Sequence, residues 1–457
     1  MSAQIAADRK KPRTAERYLR LQLAVGSGIE IFNPPPVPTS IVRSQTIFED
    51  IATRGTTSAN LSDLFAQQSG LHLDSYVDMI FGALAGYMSR RPQQLLDDPA
   101  LTLFNPVTFF GNSISSEAAY QFWSMESHSI DELASSLSMP SALVSHKDFT
   151  AFRMKPFIRL SSGSVISPHP GFVQEKLKIG LFWTIVNSLQ GDIRQKAFDT
   201  WGNLFEIYVN ELLSDTARAS REQYFAFPEY KAKKHHHESF DSILISGKVC
   251  VAIECKGGFL PNSAKYADDL EKYRSSLDKK FGTEKGAGVE QLARKIGHVF
   301  AAKKEDEREL EGIDLSQVKI VVPVLVVQDN FASSRLTTPW LAKAFRDLMR
   351  KQSLSRRIVV VSLLVLHVED IESLQTYMQS GNFRLGDCFL FAGKRGDPGL
   401  FQPVFQFSDI FEDFLKENGI GAISHRQNTR FSEIVNRITL RFFGQTLEPE
   451  TESDGAA

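Results

Sequence analysis

The stretch Ser239-Phe-Asp-Ser-Ile-Leu-Ile-Ser-Gly-Lys-Val-Cys-Val-Ala-Ile-Glu-Cys-Lys256 constrains this chain more than any other segment. Two apolar runs flank Gly247-Lys248, and glycine at the first central position of a two-residue loop is what a type II′ hairpin turn asks for. That turn fixes a register. Ser246 faces Val249, Ile245 faces Cys250, Ile243 faces Ala252, and Asp241 comes directly opposite Glu254. Because side chains alternate along a strand, Lys256 shares the face of Glu254 and Asp241, so three charged groups converge. Like charges directly opposite on a sheet are destabilising, so the pair needs compensation. A divalent cation supplies it: two carboxylates, the backbone carbonyl of Cys255 and waters make an oxygen site suited to Mg2+, with Mn2+ as a substitute. Lys256 is then placed to orient or help deprotonate an attacking water and to offset charge at a phosphate. The Cys255 side chain points away from the carboxylates and reads as a core residue.

The rest of the chain frames this hairpin. Residues 1–45 begin with a basic arm and pass through Pro34-Pro35-Pro36-Val37-Pro38, which reads as an extended, partly disordered lead-in. From 46 to 190 the spacing is mostly helical, as in Leu61, Leu64, Phe65 and Tyr76, Met79, Ile80, Leu84, with a hairpin around Ser161-Ser162-Gly163. This part reads as an accessory or recognition domain. Between 191 and 400 a long amphipathic helix, the hairpin, a charged helical stretch and two Val/Ile/Leu-rich runs separated by a helix argue for an α/β domain around a mixed sheet. C-terminal helices are expected over 401–446, and 447–457 reads as a disordered acidic tail.

Composition narrows the function classes. The 457 residues carry a formal net charge of −2, so no global basic field drives binding to nucleic acid or membrane, and a local patch must do it. Such a patch exists between Lys231 and Phe300, where 13 Lys and Arg stand against 9 Asp and Glu. Lys231, Lys233, Lys234, His235, His236 and His237 form a basic loop just before Asp241, readable either as a phosphate contact or as a solvated, metal-attracting loop. Only three cysteines occur, which suits a reducing cytoplasm. The apolar runs Val318–Val327 and Ile358–Leu366 are about ten residues each, short of the ~20 that span a bilayer, and Leu21–Val25 is too short and polar for a signal peptide. A cytoplasmic protein without a membrane partner is expected.

Asp241, followed after twelve residues by Glu254-Cys255-Lys256, resembles the PD-(D/E)xK nuclease superfamily, with Phe240 in place of the often-seen proline. The resemblance covers roughly residues 191–400. It implies a restriction-endonuclease-like mixed sheet flanked by helices, preceded by the mostly helical N-terminal domain. It also implies an acidic residue on the helix before the hairpin, for which Glu206 in Gly202-Asn-Leu-Phe-Glu206 fits, either assisting from behind the metal ligands or holding a second metal. Members similar to RecB-type nucleases add a Gln on the following helix with a Tyr four residues later. Gln291 fits the first, but Lys295 stands where the Tyr is usual and is read as a nucleic-acid contact instead. The activity implied is Mg2+-dependent phosphodiester hydrolysis, DNA favoured and endonucleolytic, in a prokaryotic restriction or anti-phage defence setting. An RNA nuclease, and a catalytically silent nucleic-acid-binding or regulatory protein of the same fold, stay open. So do a homodimer and separate defence-system partner chains.

Overall fold

In the computed structural model Gly247 takes φ +59 while Lys248 keeps an ordinary negative φ, the signature of the II′ turn. The register follows as the alternation demands: Ser246 pairs with Val249, Ile245 with Cys250 and Ile243 with Ala252. The structure describes residues 15–32, 37–54, 59–88, 98–111, 113–137, 148–232, 235–302, 310, 312–378, 383–395, 407–420 and 429–443. The protein is mixed α/β and forms two compact units. One takes the described parts of 1–30, 142–148 and 199–424, and the other those of 31–141, 149–198 and 425–457.

The hairpin is the centre of the first unit. Its elements are helix α1 (Gly191–Ala219, from Asp199 onward in this unit), strands β1 (Gln223–Ala226), β2 (Ser242–Ser246) and β3 (Val249–Lys256), and helix α2 (Gly288–Val299). Strand β4 (Ile320–Val327), helix α3 (Thr338–Met349), strands β5 (Val359–Val360) and β6 (Leu364–His367), and helix α4 (Leu385–Arg395) follow. The sheet runs β5-β4-β3-β2-β1, with β6 also on β4. The hairpin side is antiparallel, while β3, β4, β5 and β6 run parallel. Parallel neighbours need crossovers, and α2 and α3 lie in the two connections. Strands β2 and β3 are buried almost throughout, so both faces are covered. Helix α2 packs on β3 and β4. Helix α4 packs on the opposite face, where Gly386 comes close against Ser246 and Gly393 against Val322.

The second apolar run is not one strand. Val360 pairs with Val321 but Leu364 with Val324, so three residues oppose two, which is a β-bulge. Pro323 explains it. Val359 and Val361 donate to the carbonyls of Lys319 and Val321, so by alternation position 323 turns its main chain to the same edge. A proline there has no N–H to give, and the partner strand detours around it.

Three expectations are corrected. Residues 15–32 and 37–45 are helical rather than an extended lead-in. Leu19, Gln22 and Leu23 recur at helical spacing and are buried, and Pro38 falls in a first turn, where a missing N–H costs nothing. The triple proline lies outside the described residues. The segment before Asp241 is a small antiparallel hairpin, Glu229–Ala232 with His235–Glu238, rather than a loop. Lys233 and Lys234 lie outside the described residues, as do the side chains of Lys231, His235, His236 and His237. The units also do not follow the expected boundaries of 45, 190 and 400. Helix Ala15–Phe32 reaches into the hairpin's unit, the boundary at 198 falls inside α1, and Phe407–Glu417 stays with the hairpin while Thr429–Phe443 belongs to the other unit.

The second unit is mostly helical, as expected, with a small sheet of Ser127–Ser129, Phe157–Arg159 and Val165–Ile166. Its core is aromatic, with Phe104, Trp123 and Phe157 in mutual ring contact and Phe110 stacked on Trp123. It also buries a Lys176–Glu126 ion pair at 3.0 Å, beside the hydroxyl of Tyr76. Among the described residues no helix is long and apolar enough to cross a membrane. The acidic tail at 447–457 lies outside them.

Candidate functional site

The charged residues sit where β3 and β4 end and β2 begins, the edge at which parallel strands present their carboxyl ends. Asp241 comes one residue before β2. Its main-chain carbonyl accepts the N–H of Phe227 at 2.9 Å, and its carboxylate Oδ2 accepts the N–H of Cys255 at 2.6 Å. The carboxylate thus continues the ladder by one step after the main-chain pairing stops at Ser242 and Ile253. Phe227 holds the left-handed conformation (φ +47), a strained backbone for a non-glycine residue directly beside this contact.

Glu254 is 1% exposed and Asp241 is 3% exposed. Two ammonium groups compensate them. Lys256 Nζ lies 3.0 Å from Glu254 Oε1, and Lys295 Nζ lies 2.7 Å from Glu254 Oε2 and 3.5 Å from Asp241 Oδ1. Burial, and then the charge of Glu254, push the Asp241 carboxyl up to about 6, while Lys295 and Lys256 pull the other way. For both lysines burial acts downward, but Glu254 and Asp241 together outweigh it and hold each ammonium above its ordinary range.

Helix α2 delivers Lys295 through its packing on β3. At the helix start Gly288 stands against Leu325 and the Lys256 stem; a Cβ there would come 2.7 Å from Leu325 Cδ1 and 3.1 Å from Lys256 Cγ. Gln291 lies one turn before Lys295 and so shares its face. Its Oε1 is buried and has no hydrogen-bond partner. Glu206, on α1, is near enough to raise the Lys256 ammonium, ranking behind Glu254 and Asp241. Gly202, one turn before it, opens onto free space. The structure therefore brings together Asp241, Glu254, Lys256 and Lys295, with Gln291 one turn from Lys295 on the same helix face and Glu206 at the margin. Cys255 is fully buried, its thiol pushed up by burial, and it serves the cluster through its main-chain N–H.

Lys295, read from the sequence as a nucleic-acid contact in place of a Tyr, instead bridges both carboxylates. Two further contributors were not read from the sequence. Asp329, just after β4, accepts the N–H of Leu260 at 2.8 Å and pairs with Lys265 at 2.9 Å, fastening the loop that follows Lys256. From the other side Trp201 Nε1 donates to the Gly257 carbonyl at 2.9 Å. An Asp ahead of a short helix, here capping Phe331, was the available signal.

The donor set fits a hard divalent cation. It offers two facing carboxylates at the strand ends and, on the neighbouring helix α2, a buried amide oxygen without a partner, all oxygen. Among the described residues no group of three His, Cys, Asp or Glu side chains could hold a metal ion, so two carboxylates would be the whole acidic contribution. No family model matches the chain, and no curated protein or solved structure matches it.

Proposed function

We propose that this protein is a metal-dependent nuclease that hydrolyses phosphodiester bonds, DNA being the favoured substrate. The observation that carries the reading is the pair Asp241 and Glu254, buried side by side at the carboxyl ends of β3 and β4 with Lys256 on the same face. Keeping two such carboxylates together is costly for stability, as the raised Asp241 pKa records, and such costs concentrate at functional sites. The order α1, β1, β2, β3, α2, β4 supports a restriction-endonuclease-like fold and agrees with the motif's expected positions.

Asp241 and Glu254 would hold Mg2+ or Mn2+. Bound there, such a cation supplies a nucleophilic water of lowered pKa and offsets charge on the phosphate. The chain's own residues do the rest. The Cys255 N–H fixes the Asp241 carboxylate, leaving Oδ1 free of the ladder. Lys256, protonated and 22% exposed in its side chain, is placed to donate to a non-bridging phosphate oxygen or to hold the attacking water. Gln291 offers an amide oxygen for the same water. A nucleic-acid binder that keeps the fold without turnover draws on one observation, namely that both Glu254 oxygens already meet ammonium groups.

The test is cleavage of supercoiled plasmid, linear duplex, single-stranded DNA and RNA with Mg2+ or Mn2+ and with a chelator. Glu254→Gln and Lys256→Ala are each expected to lower turnover by about a hundredfold or more while the protein stays folded. Full activity in either variant sinks the site. Cleavage confined to RNA changes the substrate class, and nucleic-acid binding without cleavage of any substrate favours the silent reading.

A further inference from the structure

Each carboxylate oxygen in the cluster already has a protein donor. Glu254 Oε1 meets Lys256, Asp241 Oδ2 meets the Cys255 N–H, and the two remaining oxygens, Glu254 Oε2 and Asp241 Oδ1, meet the same Lys295 ammonium. A cation that uses both carboxylates needs an oxygen from each, and the facing pair is the pair Lys295 holds. The two positive groups cannot share that position. Lysine suits an exchange, being a point charge on a flexible four-carbon stem with no fixed bidentate geometry. Lys295 also retains some access to solvent, with 13% of its side chain exposed. One turn earlier on the same helix face stands Gln291 Oε1, a buried acceptor without a partner.

We propose that Lys295 is a resident counter-cation that the divalent metal must displace, so that metal entry is an exchange which releases the Lys295 ammonium from the two carboxylates. The idea rests on the metal-dependent reading above. Lys295 keeps the metal-free cluster neutral enough to stay folded, raises the metal concentration at which the site fills, and becomes available, with the unpartnered Gln291 oxygen one turn away on its own helix, only once the metal is in place. It is a positioning residue that acts through the carboxylates.

The experiment needs no turnover. Mn2+ binding to the full chain is measured by titration calorimetry and by loss of the free-Mn2+ paramagnetic signal, for the native protein, K295M, K295R and D241N. In parallel, modification of Lys295 by an amine-reactive acetylating reagent is followed by mass spectrometry in chelator and in Mn2+. Exchange requires that K295M bind Mn2+ on the order of tenfold more tightly, that K295R show no such gain, and that Lys295 in the native protein acetylate faster with Mn2+ but not in D241N. The acetylation arm uses the native chain, so it decides the matter even if K295M unfolds in chelator. If the native protein binds Mn2+ and D241N does not, while Lys295 labelling is unchanged or falls with metal, the exchange is overturned and the metal-dependent reading stands. If D241N binds as the native protein does, or neither binds, both are overturned.

Discussion

Asp241 is a buried carboxyl held above its ordinary range. Burial and the charge of Glu254 raise it from 3.8 to about 6. Its folded pKa therefore lies above that of the unfolded chain, and the folded form binds more protons between those two values. In chelator the native protein should lose stability on this account as pH rises from about 4 to about 6, by on the order of 2–3 kcal/mol, with no further change above. Asp241→Asn keeps an acceptor for the Cys255 N–H and has no proton to lose. Melting temperatures of the two proteins in chelator should diverge across that window, the Asn variant becoming relatively more stable; parallel pH profiles would show that the carboxylate ionises without cost. The facing of Asp241, Glu254 and Lys256 was legible because one glycine turn and a two-residue period determine it. The role of Lys295 was not. It lies 41 residues beyond Glu254, and only the packing of α2 on β3 decides where its ammonium ends.

At the scale of elements, strands and helices with a strong local period were legible, and departures trace to single residues. The helices Thr338–Met349 and Phe407–Glu417 fall within a residue or so of their apolar stripes. The bulge opposite Pro323 escaped because a proline in a continuous apolar run signals a missing donor without saying which neighbouring strand must yield. Helix Ala15–Phe32 escaped because the prolines just after it colour the whole segment. Glycines show how far element contacts govern the site. Gly288 lets α2 close onto Leu325 and Lys256, so Gly288→Val should cost about 1–3 kcal/mol through overpacking and lower activity by displacing the Lys256 stem. Gly202→Ala, facing open space in a helix interior, should instead gain roughly 0.5–1 kcal/mol. Chemical denaturation of both variants gives the comparison; a stable, fully active Gly288→Val protein would mean that α2 is not seated as closely as described.

For the whole molecule, the hairpin's unit extends to the beginning of the described chain. Leu19 is fully buried in the same apolar core as Phe240, Val289 and Phe331, and Gln22 accepts from Ser334 at 2.5 Å. Leu19→Ala should therefore lower stability by about 2–5 kcal/mol, the ordinary range for a core leucine. An effect below about 0.5 kcal/mol, as for a solvated arm, would contradict the packing. Distant assembly of this kind was hidden from sequence reading, since nothing in the spacing of Leu19 and Leu23 names the surface they cover. The interleaving of the two units has a further consequence for how such a chain can be cut and reshuffled. Among the described residues its path passes between them after 30, between 137 and 148, after 148, after 198 and between 420 and 429, the first and the fourth of these inside helices. No single break releases the catalytic candidate as one contiguous piece. Limited proteolysis or gene truncation should thus inactivate the protein rather than liberate an active core, and the two units would have to be inherited and exchanged together as one indivisible cassette.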